Sequence, residues 1–170
     1  MTAFDDGATG HENLEREILT WDDFGRSARD LAQAIVDDGW RPDVVVAVAR
    51  GGLLPAGAVS YALGVKALGT MNVEFYTDVA QTLAEPRLLD PMMDTSTLPN
   101  KRILVVDDVA DSGRTLAKVI EMFEEFEGVE TRSAVIYHKP RSVVIPHYAW
   151  KQTERWIAFP WSDRPPVSAT

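Results

Sequence analysis

A chain of 170 residues with 45% hydrophobic content can bury one substantial core, and two independent domains would leave each half small, so one domain is expected. The absence of cysteine removes disulfides, thiolate metal sites and cysteine nucleophiles, and leaves carboxylates, lysines, hydroxyls and backbone for any chemistry. A formal charge of -9 repels polyanions and argues against nucleic acid as a partner, while a small anion held by a few aimed groups stays open.

The opening residues, MTAFDDGATGHENLERE, are acidic and polar and lack the basic and apolar regions of a secretory signal. Residues 1–17 are expected to be a disordered tail leading into a single domain over 18–170. No stretch approaches the roughly 20 apolar residues of a membrane span, so no membrane partner and a cytoplasmic location are expected. Thr20 followed by Asp23 has the spacing of a capping box, and Phe24, Ala28, Leu31 and Ile35 then recur at helical spacing, which predicts a helix to about Gly39. Asp43 to Ala49 (DVVVAVA) is a β-branched run between Pro42 and Gly51 and suits a strand buried on both faces. After the turn at Gly51 and Gly52, Leu54, Ala58, Tyr61 and Ala62 mark a second helix closed by Gly64. Val65 to Phe75 and Arg102 to Asp107 read as further strands. Leu116, Val119, Ile120 and Phe123 mark one face of a third helix, and Arg132 to Tyr137 reads as a fourth strand. This alternation predicts an α/β fold: a mostly parallel twisted sheet with helices on both faces and a ligand site beyond the carboxyl ends of the strands.

Two stretches interrupt the alternation. Residues 74–100, with Pro86, Pro91 and Pro99, have little periodicity and are expected to form a flexible lid. From Pro140 onward the chain is aromatic, with Tyr148, Trp150, Trp156, Phe159 and Trp161, and is expected to form a small β-rich hood.

The segment ILVVDDVADSGRT, residues 103–115, places two adjacent carboxylates after a buried strand and a small-residue loop before a helix. Amides of the loop and the hydroxyls of Ser112 and Thr115 can surround a phosphate at the positive end of the helix, with Gly113 permitting close backbone approach. At a strand end, Asp107 and Asp108 can both turn to one ligand, accepting hydrogen bonds from a vicinal diol or holding Mg²⁺ through oxygen. Taken alone, such an acid pair also fits a phosphate-receiver domain, a nucleotide hydrolase or simply solvated strand-end acids. The GxxxxGK[ST] pattern of the commonest nucleotide hydrolases is absent from the sequence.

The run Asp107-Asp108-Val109-Ala110-Asp111-Ser112-Gly113-Arg114-Thr115 closely resembles the phosphoribosyl-pyrophosphate signature of type I phosphoribosyltransferases. Ala49-Arg50-Gly51-Gly52 resembles that family's pyrophosphate loop, although an ordinary strand-to-helix turn has the same composition. Lys66 can add positive charge nearby or be a solvated edge residue. His138-Lys139-Pro140, followed by Arg155-Trp156-Ile157-Ala158-Phe159-Pro160-Trp161, resembles the 6-oxopurine branch, most closely the bacterial xanthine-guanine enzymes. The resemblance implies the type I fold with lid and hood, and a base-binding segment over about 139–162. Carried over by position, Lys139 would donate to the 6-oxo group, Trp156 would stack on the ring and the Ile157 main chain would read the group at carbon 2. Alternatively, Lys139 is a surface lysine and Trp156 a core or dimer-interface residue. Where that branch often has an aspartate after the final Pro-Trp, this chain has Ser162.

The implied reaction displaces pyrophosphate from the ribose C1 of phosphoribosyl pyrophosphate by a purine base: xanthine, guanine or hypoxanthine. Arg50, Gly51 and Gly52 would meet the pyrophosphate, Asp107 and Asp108 the ribose hydroxyls, and Asp111 to Thr115 the phosphate. Asp108 would also assist Mg²⁺, the implied cofactor, which is mainly held by substrate oxygens. Asp111 would take the proton of purine N7 as the catalytic residue, or else cap the following helix. A homodimer or homotetramer is implied by analogy. Competing functions are a regulator that senses phosphoribosyl pyrophosphate through the same fold, and a transferase for a pyrimidine or other acceptor.

Overall fold

The computed structural model describes residues 16–75, 86–89 and 91–168. Strand β1 (Arg16–Ile18) leads into helix α1 (Trp21–Asp37), strand β2 (Val44–Ala49), helix α2 (Leu53–Leu63) and strand β3 (Leu68–Phe75). Strand β4 (Pro86–Leu88), strand β5 (Arg102–Ala110), helix α3 (Arg114–Glu124) and strand β6 (Glu130–His138) follow. Strands β7 (Tyr148–Gln152) and β8 (Trp156–Ala158) complete the chain.

Six strands form the main sheet in the order β4-β3-β2-β5-β6-β7. All its neighbours are parallel except the antiparallel pair β3 and β4. The continuous apolar run of β2 follows from burial on both faces. Val45 and Ala47 pack with Leu31 and Ile35 of α1 and Ala56 and Val59 of α2, whereas Val44, Val46 and Val48 pack with Leu116, Val119 and Phe123 of α3. Strand β5 alternates likewise, Leu104 and Val106 toward the first cluster and Ile103 and Val105 toward the second. The period-2 alternation of a strand thus serves two apolar layers, and no polar residue can be placed in the middle of either strand without losing one of them.

At the start of α1 the Thr20 hydroxyl accepts from the Asp23 amide at 3.1 Å and donates to the Asp23 carboxylate at 2.7 Å, so the predicted capping pair forms, hydroxyl to carboxylate rather than carboxylate to main chain. The helix stops where Gly39 takes a positive φ of 68°, a conformation that a residue with a Cβ resists.

Several expectations are corrected. The face of α2 that is buried runs through Pro55, Ala56, Val59, Ser60 and Leu63, not through Leu54 and Tyr61, which are exposed. This helix is apolar on all sides, so its periodicity could not orient it. The expected boundary at residue 17 falls inside β1, which pairs in parallel with β8 through Arg16 and Trp156, Glu17 and Ile157, and Ile18 and Ala158; the rest of the expected tail lies outside the described residues. Strand β7, read as part of the hood, is an edge strand of the main sheet, with the Tyr148 hydroxyl donating to Asp38 at 2.9 Å and the Trp150 indole donating to Asp30 at 3.0 Å. A parallel strand reached without a crossover helix carries no helical pattern to announce it.

The described parts of 74–100 are not a free loop. Strand β4 pairs with the end of β3, Met92 bridges to Thr70, and Leu98 is fully buried in the cluster under α3. Residues 76–85 and 90, where the lid expectation remains, lie outside the described residues. Among the described residues no helix is long and apolar enough to cross a membrane.

Candidate active site

The site grows from a difference in strand length. Strand β5 pairs with β2 only as far as Val106 opposite Ala47, yet continues beside β6 until Ala110 opposite His138. The sequence reading ended this strand at Asp107. Instead Asp107 and Asp108 lie on its overhanging part, where the β2 edge is unpaired. Alternation alone would send consecutive side chains to opposite faces, but past the last pairing with β2 both border one cavity of about 340 Å³, together with Ala49, Gly51, Val109, Ala110, Asp111, Ser112, Gly113 and Thr115.

Burial pushes the Asp107 carboxyl well above the ordinary range, and repulsion from Asp108 adds to the shift. Asp108 is raised as well, by burial first. The Asp108 amide donates to Asp107 Oδ1 at 2.9 Å. Two desolvated carboxyls side by side are poorly stable as a pair of anions, so a hydroxyl donor or a cation entering the cavity would relieve them.

Two glycines let the β2–α2 turn approach these acids. A Cβ on Gly51 would lie 2.3 Å from Asp108 Oδ2, and one on Gly52 would lie 2.3 Å from the Val106 carbonyl oxygen. Both clashes are with groups that the site needs in place, so the glycines are spatial requirements of the cavity. The Ala49–Arg50 peptide bond is cis. The exposed Arg50 borders a wider groove that shares Gly51 and Asp108 with the cavity and runs to Trp21, Trp161 and Arg164.

On the far side, α3 begins at Gly113, with a φ of 74° and no side-chain cap. The Arg114 amide donates to the Ser112 hydroxyl at 3.4 Å, and the amides that follow it form the positive end of the helix, which attracts an anion. Gly113 has a further reason: a Cβ there would lie 2.2 Å from the Ser142 hydroxyl. The β6–β7 connection is laced to this loop, with Lys139 N–H donating to Ala110 O at 3.0 Å and Val143 N–H to Ser112 O at 2.9 Å.

A second cavity, about 320 Å³, shares Val109 and Asp111 with the first and is bordered by Lys139, Trp156 and Ile157. Lys139 is buried and donates from Nζ to the carbonyl of Glu154 at 3.3 Å and to that of Arg155, so it is not a surface lysine. Trp156 is 62% exposed and is not a core residue. Ile157 is buried among Leu19, Ile136 and Phe159. The hood that carries these residues docks on α1, with Phe24 and Trp161 rings edge to face at 5.4 Å and Phe159 stacked on Trp161 at 4.9 Å.

Arg114 is exposed on the first turn of α3 and borders none of the three cavities described above. Lys66 is exposed ahead of β3, at the opposite end of the sheet. Three residues went unnoticed in the sequence. Arg16, Arg141 and Asp163 all border the second cavity. Arg141 donates to Asp111 Oδ1 from Nε at 3.0 Å and Nη2 at 2.5 Å. Its position two residues beyond Lys139 was the only available signal, and Asp163 stands one residue after the Ser162 departure.

The family model described as phosphoribosyl transferase domain matches residues 15–164. The chain belongs to this family. This phosphoribosyltransferase is 30% identical over 156 residues to a xanthine-guanine phosphoribosyltransferase of Gluconobacter oxydans (strain 621H), covering 91% of this chain and 89% of that protein. It is 32% identical over 150 residues to the protein of the same name from Cereibacter sphaeroides (strain ATCC 17025 / ATH 2.4.3), covering 84% of each. Among solved structures it is similar to a purine phosphoribosyltransferase from Pyrococcus horikoshii, with a TM-score of 0.77 and 35% identity over 92% of this chain and 100% of that one. The mostly parallel sheet flanked by helices is the fold of that relative.

Proposed function

We propose that this phosphoribosyltransferase transfers ribose 5-phosphate from phosphoribosyl pyrophosphate to a 6-oxopurine, in purine salvage. The observation that carries the reading is the meeting of two cavities at Asp111. One is built from carboxylates, hydroxyls and helix-end amides suited to a sugar phosphate, and the other from a buried lysine and an indole suited to a flat oxo base. The names of the relatives support the same substrate class.

In this reading, the amides at the start of α3 with Ser112 and Thr115 hold the 5-phosphate. Asp107 and Asp108 accept from the ribose hydroxyls, and Arg50 with the Gly51 amide meets the pyrophosphate, the Gly52 amide already donating to the Val48 carbonyl at 2.8 Å. Trp156 stacks on the base, Lys139 attracts the oxo side, and Asp111 sits between base and sugar phosphate, where it can take the N7 proton. In the same reading the Ile157 main chain reads the substituent at carbon 2, and Asp163 borders the same cavity. Among the described residues no group of three or more acidic or histidine side chains could hold a metal by itself, which fits Mg²⁺ held chiefly by substrate oxygens with Asp108 as a protein donor. When bound, Mg²⁺ would supply charge neutralisation on the pyrophosphate. Self-association belongs to the same reading and is supported by the exposed Leu53, Leu54 and Tyr61 of the uncharged α2; light scattering tests it.

Incubation with phosphoribosyl pyrophosphate, Mg²⁺ and each of xanthine, guanine, hypoxanthine, adenine and uracil, followed by absorbance, tests the function. Nucleotide formation with an oxopurine is expected. Turnover with uracil alone would reassign the acceptor, and retained phosphoribosyl pyrophosphate binding without any turnover would make the protein a sensor of that ligand.

A further inference from the structure

We propose that Arg141 is a positioning residue that holds the Asp111 carboxylate so that Oδ2, and not Oδ1, faces the base. This deepens the purine-transfer reading and rests on it.

The geometry is asymmetric. Both Arg141 donors, Nε and Nη2, fall on Oδ1, and no described residue donates a hydrogen bond to Oδ2. The terminal torsion of an aspartate is broad and nearly two-fold, so a carboxylate facing a cavity exchanges its oxygens readily unless something grips one of them. A guanidinium does that better than an ammonium, because its donors lie in a fixed planar fork. Both side chains border the cavity that also holds Lys139 and Trp156, so the oxygen left over is presented to the place of the base.

The backbone on each side is braced. Asp111 stands just after Ala110 and before Ser112, and these two carbonyls accept from Lys139 N–H and Val143 N–H, on either side of Arg141. The close contact between Gly113 and Ser142 leaves no room for the two loops to slide. Arg141 and Asp111 are thus held opposite each other by main-chain contacts and not by their own attraction. The pair itself is exposed, at 69% and 49% of the side chains, and an exposed ion pair contributes little to folding. Its effect therefore falls on the carboxylate's orientation.

During transfer the base N9 lone pair forms the bond to ribose C1 while the C1–oxygen bond to pyrophosphate breaks and its electron pair leaves with pyrophosphate. The N7 proton passes to Asp111 Oδ2, and the N–H bonding pair stays in the imidazole ring. A fixed Oδ2 keeps that proton transfer in line, and losing the fixation should slow turnover without weakening either substrate.

The test is a double-variant cycle measured with phosphoribosyl pyrophosphate, Mg²⁺ and the preferred base, alongside thermal melting and calorimetric binding of phosphoribosyl pyrophosphate. Arg141→Ala is expected to lower kcat roughly 10- to 100-fold, the scale of a misplaced catalytic group, with unchanged base KM and unchanged phosphoribosyl pyrophosphate affinity. Arg141→Lys should recover part of the loss. In an Asp111→Asn background, Arg141→Ala should cause no further loss, because its only route is through that carboxylate. Independent, multiplying losses in the double variant would overturn the proposal, as would an unchanged kcat in Arg141→Ala. A raised base KM with kcat preserved would also overturn it and make Arg141 a direct base contact. Should Arg141→Ala melt early, Arg141→Gln, which keeps an amide donor and the stem, decides by the same criteria. A wild-type chain inactive with every base removes the underlying reading and this inference together, whereas an active wild type with multiplying losses removes the inference alone.

Discussion

The proposed phosphate end of the site and its proposed base end are built by opposite means. At the proposed phosphate end, contiguous stretches of chain do the work: β5 overhangs β2, the loop after it turns into α3, and Gly51, Gly52 and Gly113 clear space for close approach of backbone to side chains and, at Gly52, to other backbone. At the base end, β1 from the start of the chain pairs with β8 near its end, and Trp161 closes on Trp21 and Phe24 of α1. The first region depends on steric clearance within a rigid sheet, the second on aromatic packing between distant segments. Substitutions at the phosphate end should therefore act on chemistry and sugar binding, and those at the base end on acceptor affinity.

The largest expected effect lies where the regions meet. Asp111→Asn keeps the shape and the hydrogen-bond acceptor but cannot take a proton, and should lower kcat by about 100- to 10,000-fold while calorimetry shows phosphoribosyl pyrophosphate binding preserved. Equal losses in both would take the proton-transfer role from Asp111, which does not cap α3. Next comes Gly51→Ala, whose methyl would meet the Asp108 carboxylate at 2.3 to 2.6 Å. The displaced acid should reduce kcat/KM for phosphoribosyl pyrophosphate by roughly 100-fold, and near-normal kinetics would show that the acid can move aside freely.

At the base end a smaller change is expected. Trp156→Ala should raise base KM about tenfold, consistent with stacking on an aromatic ring, with kcat and melting temperature little changed because the ring is mostly exposed. A loss of melting temperature instead would make the indole part of the hood's packing. The smallest effect concerns stability. Asp107 has a folded-state carboxyl raised well above its ordinary value of 3.8. The stability of its neutral form is fully present below that ordinary value and is lost as pH rises toward the shifted one, since the unfolded chain ionises first. Asp107→Asn, neutral throughout, should raise the melting temperature at pH 7 to 8, and the gain should vanish below pH 3.8. Melting curves across that range, with no gain at neutral pH, would show that the half-buried acid costs the fold nothing. The same variant should bind phosphoribosyl pyrophosphate less well, as expected where a destabilised group is kept for function.

The sequence by itself determined the layered parallel sheet, because two-faced burial of β2 and β5 writes an uninterrupted β-branched run and amphipathic helices between strands write their own period. It also made legible the run Asp107 to Thr115, all of which except Arg114 borders one cavity, because these residues are contiguous. Tertiary structure alone decided the rest. The buried face of α2 could not be read from a helix apolar on every side, and β7 joined the main sheet without a helical crossover to mark it. The β1–β8 pair and the Asp111–Arg141 contact join residues far apart in the chain, on different elements, and no local period or propensity encodes which distant partner a strand edge or a carboxylate will meet.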